Sequence, residues 1–347
     1  MRIGLLPDNL LERMALALGR VPTPYGDTLP TLLIARAVMT ATRAGLFEAL
    51  AGGPLTGPEV AARCGTHPGA TQTFLDMLVS ARYLRTEGMR YRLTPTVRRW
   101  LLRDSPQSLY DNILYRFLEW DWIARLDGFL ETGRPLDIHA EMSPEQWALY
   151  QRGMLAFARL SGPEMARRTP VPKGAREMLD IGGSHGYFSV VLCRRHPGLR
   201  STVLDLPSAI EHAAPLLARE EMGDRVTHRP GNALSDDLGE EAYDLVLMSQ
   251  LAHHFDDPTN RGLVQKAARA LRPGGVVVIQ EIIRRESPEE GGQLDGLLDL
   301  YFALTSEAGT WSFAEMAEWQ KAAGLTPKAP IRFRTMPGIG LQVGVKR

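Results

Sequence analysis

The sequence predicts an α/β protein: a largely parallel sheet with helices on both faces, preceded by a mainly α domain of winged-helix type. Three observations predict it. From Met178 onward, short apolar or β-branched runs alternate with helical segments, the pattern of an open parallel sheet with ligands at its carboxyl strand ends. The first of these runs, Met178 to Ile181, ends in a glycine turn, Gly182-Gly183-Ser184-His185-Gly186, and restarts as an apolar helix. The first hundred residues read helix, helix, helix, hairpin.

The elements follow in order. Asn9 to Leu18 forms a short helix, then Pro22, Pro24 and Pro30 make a link. Thr31 to Leu50 reads as a helix, and Pro58 suits the first turn of a short helix running to Cys64. Ala70 to Ala81 is the next helix, with Phe74, Leu75, Met77 and Leu78 apolar. Tyr83 to Leu93 makes two strands around Glu87-Gly88. These elements place a winged-helix dimerisation domain over residues 1–105. A DNA-binding reading needs Lys or Arg on the recognition helix, and Ala70 to Ala81 carries only Asp76. Dimer packing is the expected role, with no nucleic-acid partner.

Residues 106–347 hold the second part. Leu109 to Leu160 is mostly helical and rich in aromatics, some expected to line an apolar pocket. Then come strands ending at Ile181, Asp205, Arg229 and Gln250, and a fifth from Val276 to Ile282, with helices between them. Helices over Leu294 to Ser306 and Ser312 to Ala323 follow, and strands over Lys328 to Arg334 and Leu341 to Val345 close the sheet.

Composition sets limits on function. Lys+Arg and Asp+Glu are both 40, a balance that argues against a broad nucleic-acid or anionic-membrane surface. No apolar run of about eighteen residues is present, and the N-terminus lacks a signal-peptide core, so no membrane partner is expected. Cys64 and Cys193 lie far apart in helical contexts and read as free thiols of a cytoplasmic protein.

The glycine turn carries the chemistry. Glycine tolerates positive φ and lets the backbone approach a ligand, and the first helical N–H groups then face whatever sits over the strand end. A dinucleotide fingerprint would need glycine at Ser184 and Tyr187, which this chain lacks. About nineteen residues on, Ser201 to Asp205 ends a second strand in an acid, with Leu206 and Pro207 after it. An acid there takes ribose hydroxyls in nucleotide-binding sheets.

Five segments, read together, resemble the winged-helix, S-adenosylmethionine-dependent O-methyltransferases of plant phenylpropanoid and bacterial polyketide-tailoring chemistry. They are Asp180 to Gly186, Leu204 to Pro207, Gly231 to Leu234, His253 in its loop, and Leu271 to Gly275. The resemblance runs from about Thr31 to Arg347. It implies a Rossmann-like catalytic domain, a homodimer, S-adenosylmethionine as methyl donor, and a small aromatic or polyketide-like acceptor from secondary metabolism. By the resemblance, Asp180, Gly182, Gly183 and Gly186 belong to the cofactor turn, and Asp205 and Leu206 face the ribose. Asn232 and Ala233 fall beside the adenine, where the family often has an acid. Ser249 stands where plant members carry Lys. His253 matches the catalytic base and Glu281 the acid that orients it. Met154 matches an acceptor-pocket position, and Phe157 and His254 are placed on the acceptor side with it.

The chain departs from the family in two places. The Asp and Trp of the His-Asp-Trp motif are His254 and Phe255, and the family's second acid falls near Thr310, with Glu307 the nearest carboxylate in sequence. Cofactor binding is therefore better founded than deprotonation of a phenol, and an aliphatic hydroxyl, an enolisable carbon or a sulfur stays open as the acceptor. An imidazole, with an ordinary pKa of about 6.5, suits removal of a hydroxyl proton near neutrality. His254 with Asp256, Asp257 and His185 invites a metal reading. Adjacent residues are expected to point apart, so His253 and His254 are not expected to share an ion. No metal is assigned.

Overall fold

The computed structural model describes residues 4–285, 287, 289, 292–306 and 308–347. Contacts divide the chain into two compact units, Met1–Phe117 and Leu118–Arg347. Glu307 lies outside the described residues.

In the first unit, Asn9 caps the helix Leu10–Ala17 by accepting the Glu12 N–H. The helix expected over Thr31 to Leu50 is two, Leu29–Arg43 and Leu46–Ala49. Gly45, at φ +78°, lies between them, and a left-handed residue cannot continue a right-handed helix. Thr56 and Glu59 form a reciprocal capping box at the start of Gly57–Cys64. Pro68–Ser80 follows, then β1 (Leu84–Glu87) and β2 (Arg90–Leu93), antiparallel and joined through Gly88 at φ +59°. Phe47, Leu50, Leu75, Leu78 and Leu84 fill the core of this unit. Asp76, the single charge on Pro68–Ser80, is bound by Tyr91 Oη and Gln72 of the same unit. Leu10, Leu11, Leu32 and Leu33 are exposed.

In the second unit, helices Leu126–Thr132 and Ile138–Glu141 precede the long helix Pro144–Arg168, which Ser143 and Gln146 cap. The sheet then forms from β3 (Glu177–Ile181), β4 (Arg200–Asp205), β5 (Val226–Pro230), β6 (Tyr243–Ser249), β7 (Leu271–Ile282), β8 (Thr326–Pro327), β9 (Ile331–Arg332) and β10 (Ile339–Val345). Its order is β5-β4-β3-β6-β7-β10-β8, with β9 also on β10. The strands β3 to β7 are parallel, and β10 runs antiparallel to β7. Leu179, Ile181, Val246, Met248, Val277 and Ile279 face one core cluster and Met178, Leu245, Leu247 and Val278 the other, as a sheet covered on both faces requires.

Two expected strands differ. Of the run Lys328 to Arg334 only Ile331–Arg332 is strand, with the pair Thr326–Pro327 just ahead of it, because Pro327 and Pro330 remove ladder donors and confine the segment to the sheet edge. The strand expected from Val276 begins at Leu271, with a register shift opposite Tyr243/Leu245 that absorbs Pro273-Gly274-Gly275.

The chain leaves β3 for β4 and β5 on one side and returns to β6 on the other. That reversal opens a crevice above the carboxyl ends of β3 and β6.

Candidate active site

The turn after β3 is built for close approach. Gly182 sits at φ +66° and donates its N–H to Leu204 O at 2.8 Å. A Cβ there would meet Leu251 at 2.7 Å, and one on Gly183 would meet Asp180 Cγ at 2.5 Å. Gly186, at φ +70°, starts the helix Tyr187–Arg195. Asp180 lies beneath the turn, fully buried, with Oδ2 accepting from Ser189 Oγ at 2.6 Å. Burial pushes its pKa up to about 7, against the Ser189 bond, with Asp205 adding to the rise. His185 is buried and its pKa is lowered to about 3, first by burial and then by Arg159 and His228, so the ring is neutral.

Asp205 ends β4 beside this turn. Its Oδ2 accepts the Ser184 N–H at 2.8 Å and its Oδ1 the Leu206 N–H at 2.7 Å. An ionised carboxylate has about four lone-pair sites, so both oxygens retain capacity for a diol. Burial raises the pKa of Asp205, and the two N–H bonds and His228 oppose the rise. Ser249 Oγ and Gln250 Nε2, at the carboxyl end of β6, are buried without a hydrogen-bond partner among the described residues. Bare backbone at the turn, a carboxylate with spare lone pairs and unpaired polar atoms together fit a nucleoside-bearing cofactor.

Asn232 is exposed and turned onto its own loop. Its Oδ1 accepts the Leu234 N–H at 3.0 Å, while its N–H goes to Asp236 Oδ2 at 2.9 Å. The carboxylate at this loop is thus that of Asp236, which sequence reasoning missed. Lys266 holds the loop by donating to Ala233 O at 2.6 Å.

Across the crevice, His253 and Glu281 meet. The loop after β6 places His253 Nδ1 2.8 Å from Glu281 Oε2, and Glu281 comes from the end of β7. Glu281 Oε1 accepts the Leu251 and Ala252 N–H groups at 2.8 and 2.7 Å. Both side chains are buried. With the carboxylate accepting, Nδ1 carries the ring proton and Nε2 keeps its lone pair. Phe302 packs on the imidazole, its ring centroid 4.1 Å away. Asn260 Nδ2 and Trp311 Nε1 each donate to Ala252 O at 2.9 Å, bracing the loop from outside.

The two neighbouring histidines do not point apart. Their ring centroids are 4.4 Å from one another, within the 3₁₀ turn Ala252–His254. His254 Nδ1 lies 3.2 Å from Ser306 Oγ, and its ring is 5.1 Å from that of His139, which Trp147 and Tyr150 flank in turn. Burial, then His253 and His139, hold the pKa of His254 well below the ordinary imidazole range. Burial likewise lowers that of His139. Among the described residues, no group of three His, Cys, Asp or Glu side chains is arranged to hold a metal ion.

Met154 lies on the long helix, one face of which also carries Trp147, Tyr150 and Gln151. Phe157, on the same helix, borders the sheet core, as does Phe302. At Thr310, Asp299 of the helix Gln293–Thr305 supplies a carboxylate among the described residues, its Oδ1 accepting the Thr310 N–H at 3.0 Å. Sequence reasoning missed Asp299, His139 and Trp311, which no local motif marks.

Comparison with known proteins shows the family. Residues 131–326 match the O-methyltransferase domain family, and residues 27–103 match the O-methyltransferase dimerisation domain. A 3-hydroxy-5-methyl-1-naphthoate 3-O-methyltransferase from Streptomyces sahachiroi is 28% identical, the alignment covering 94% of this chain and 95% of that one. An L-tyrosine C(3)-methyltransferase from Streptomyces lavendulae is 26% identical over 82% of this chain and 81% of its own. The fold is also that of human N-acetylserotonin methyltransferase in complex with SAM, with a TM-score of 0.82, 19% identity and 98% of each chain covered. Among the described residues, no helix is long and apolar enough to cross a membrane. The chain therefore belongs to the O-methyltransferase family of S-adenosylmethionine-dependent enzymes, in which a catalytic domain of this kind follows a dimerisation domain.

Proposed function

We propose that this enzyme methylates a hydroxyl of a small aromatic or polyketide-like acceptor, with His253 as general base and Glu281 as its orienting partner, and that it works as a homodimer. The single observation that carries the reading is the 2.8 Å contact between His253 Nδ1 and Glu281 Oε2 at the mouth of the crevice. It holds the imidazole in the tautomer whose Nε2 can accept a proton.

S-adenosylmethionine, when bound, supplies an activated methyl group on a sulfonium centre. Gly182, Gly183 and Gly186 give it bare backbone, above the buried Asp180. Asp205, with the adjoining Leu206 backbone, takes the ribose hydroxyls, and Asn232, Ala233 and Ser249 line the remainder of its site. Met154, Phe157 and His254 belong to the acceptor side. The chain's own contribution is alignment of the acceptor oxygen behind the methyl group, plus removal of one proton. His253 Nε2 takes that proton as the oxygen attacks, and Glu281 stabilises the imidazolium formed. Phe302 covers the ring and limits water there.

The test is a panel of hydroxylated aromatic acceptors with labelled donor, run with wild type and His253→Ala. Methyl incorporation at oxygen that collapses in the variant supports the reading. Incorporation that is unaffected by the variant overturns the base assignment.

A second reading, methyl transfer to an activated aromatic carbon, has one specific support: the relative from Streptomyces lavendulae is a C(3)-methyltransferase of L-tyrosine. Product mass fragmentation separates the two, since an aryl methyl ether and an aryl-carbon methyl group cleave differently.

A further inference from the structure

Ser184 is the one non-glycine residue of the turn after β3 held at positive φ, +51°. A serine there is strained, and such strain persists only where the surroundings over-determine the residue. Three elements do so. The end of β4 takes its N–H, at 2.8 Å from Asp205 Oδ2. His228 of β5 donates Nε2–H to its carbonyl at 2.7 Å. Its hydroxyl donates to Oε1 of Gln151, from the long helix Pro144–Arg168.

The third contact differs from the others. Gln151 is 1% exposed, a polar side chain brought from 33 residues away to one atom of the turn. It shares its helix face with Trp147, Tyr150 and Met154. Trp147 and Tyr150 reach His139, which touches His254 beside the base. The same helix packs tightly on the helix that follows the turn, since a Cβ on Gly162 would lie 2.8 Å from Tyr187. The helix whose Trp147 and Tyr150 flank His139 is therefore hydrogen-bonded, through the Ser184 hydroxyl, to the turn read as the cofactor site.

We propose that Gln151 and Ser184 are positioning residues that couple cofactor occupancy to the placement of the acceptor-side helix. Occupation of the turn immobilises Ser184, and the Ser184–Gln151 bond passes that order to Trp147 and Tyr150. Binding at one site is thereby linked to preparation of the other, as any coupling between sites must be reciprocal. The proposal rests on the reading of the turn as the cofactor site.

The experiment needs no acceptor. S-adenosylhomocysteine binding is measured by calorimetry, and backbone hydrogen exchange is followed with and without it in wild type, Gln151→Met and Ser184→Gly. Met conserves volume without an accepting oxygen, and Gly removes the hydroxyl while relieving the strained φ. In wild type, the ligand slows exchange both in the turn helix, residues 187–195, and in the long helix around residues 148–155, by about fivefold or more. In both variants, protection of the turn helix stays and that of the long helix is lost. Long-helix protection retained in Gln151→Met or in Ser184→Gly, or absent from wild type, overturns the coupling. No calorimetric binding by wild type overturns the cofactor reading itself, and the coupling with it.

Discussion

His253 Nδ1 stands 2.8 Å from Glu281 Oε2, although the two residues are 28 positions apart and belong to different strand ends. Their meeting follows from the parallel pairing of β6 and β7, in which Ser249 lies opposite Gln280. The residue after Gln280 and the loop after Ser249 then share one end of the sheet. Glu281 also accepts two loop N–H groups, so the same carboxylate shapes the loop and orients the imidazole.

Removing the base tests its role. General-base catalysis is worth about 10²–10⁴ in rate. His253→Ala is expected to lower turnover by that factor while leaving the calorimetric affinity for S-adenosylhomocysteine nearly unchanged. Glu281→Gln is expected to cost less, because the base remains and only its orientation and charge support weaken. Full activity of His253→Ala on the true acceptor would refute the assignment.

Asp205 is expected to carry much of the cofactor affinity. Hydrogen bonds to a charged group are each worth about 1.5–3 kcal/mol, so Asp205→Ala should weaken S-adenosylmethionine binding by roughly 2–4 kcal/mol. An unchanged dissociation constant by titration calorimetry would remove it from the ribose site.

The turn leaves no room at Gly183. Its new Cβ would meet Asp180 Cγ at 2.5 Å and Val203 Cγ1 at 2.8 Å, both in the buried interior. Gly183→Ala should destabilise the protein by about 1–3 kcal/mol, the usual range for overpacking. Denaturant midpoints report it, and a midpoint equal to wild type would show that the turn yields freely.

Asp180 should leave a signature in the pH dependence of stability. Its folded pKa, about 7, exceeds the ordinary 3.8 because burial disfavours the charge. The folded state therefore holds a proton that the unfolded chain has already released, and stability falls as pH rises from about 4 to about 7. A shift of this size is on the order of 4 kcal/mol. Asp180→Asn should abolish that fall, so its advantage over wild type grows between pH 5 and pH 8. His185 acts in the opposite sense, its stability being lost as pH drops from about 6.5 toward 3, but it is common to both proteins and cancels in the difference. An unchanged difference across this range would mean that Asp180 titrates normally.

The first unit is expected to bury its exposed leucines against a second copy. Leu10, Leu11, Leu32 and Leu33 are each more than half exposed. Obligate interfaces cover about 2,000 Å² or more. A dimer at micromolar concentration is the expected result in light scattering, and a monomer would refute it.

The sequence by itself determined the architecture and the glycine turn beside the crevice. A strand, a glycine turn and a helix start occupy a dozen consecutive residues, and a short apolar or β-branched run marks each buried strand, so Asp180, Gly182 to Gly186 and Asp205 were legible as the ends of strands and the turn between them. Backbone sterics act locally, and a positive φ leaves a readable glycine. Local sterics did not reveal that Ser184 adopts such a φ, because its support comes from Asp205, His228 and Gln151. Only the tertiary structure decided which side chains surround His253. Trp311 reaches Ala252 across 59 residues, Asp299 meets Thr310 across 11, and His139 reaches His254 from another helix. Local spacing does not encode those meetings. They follow from how the helices after the sheet strands pack to bury their apolar faces, and buried polar atoms then bond with whichever partners that packing brings within reach.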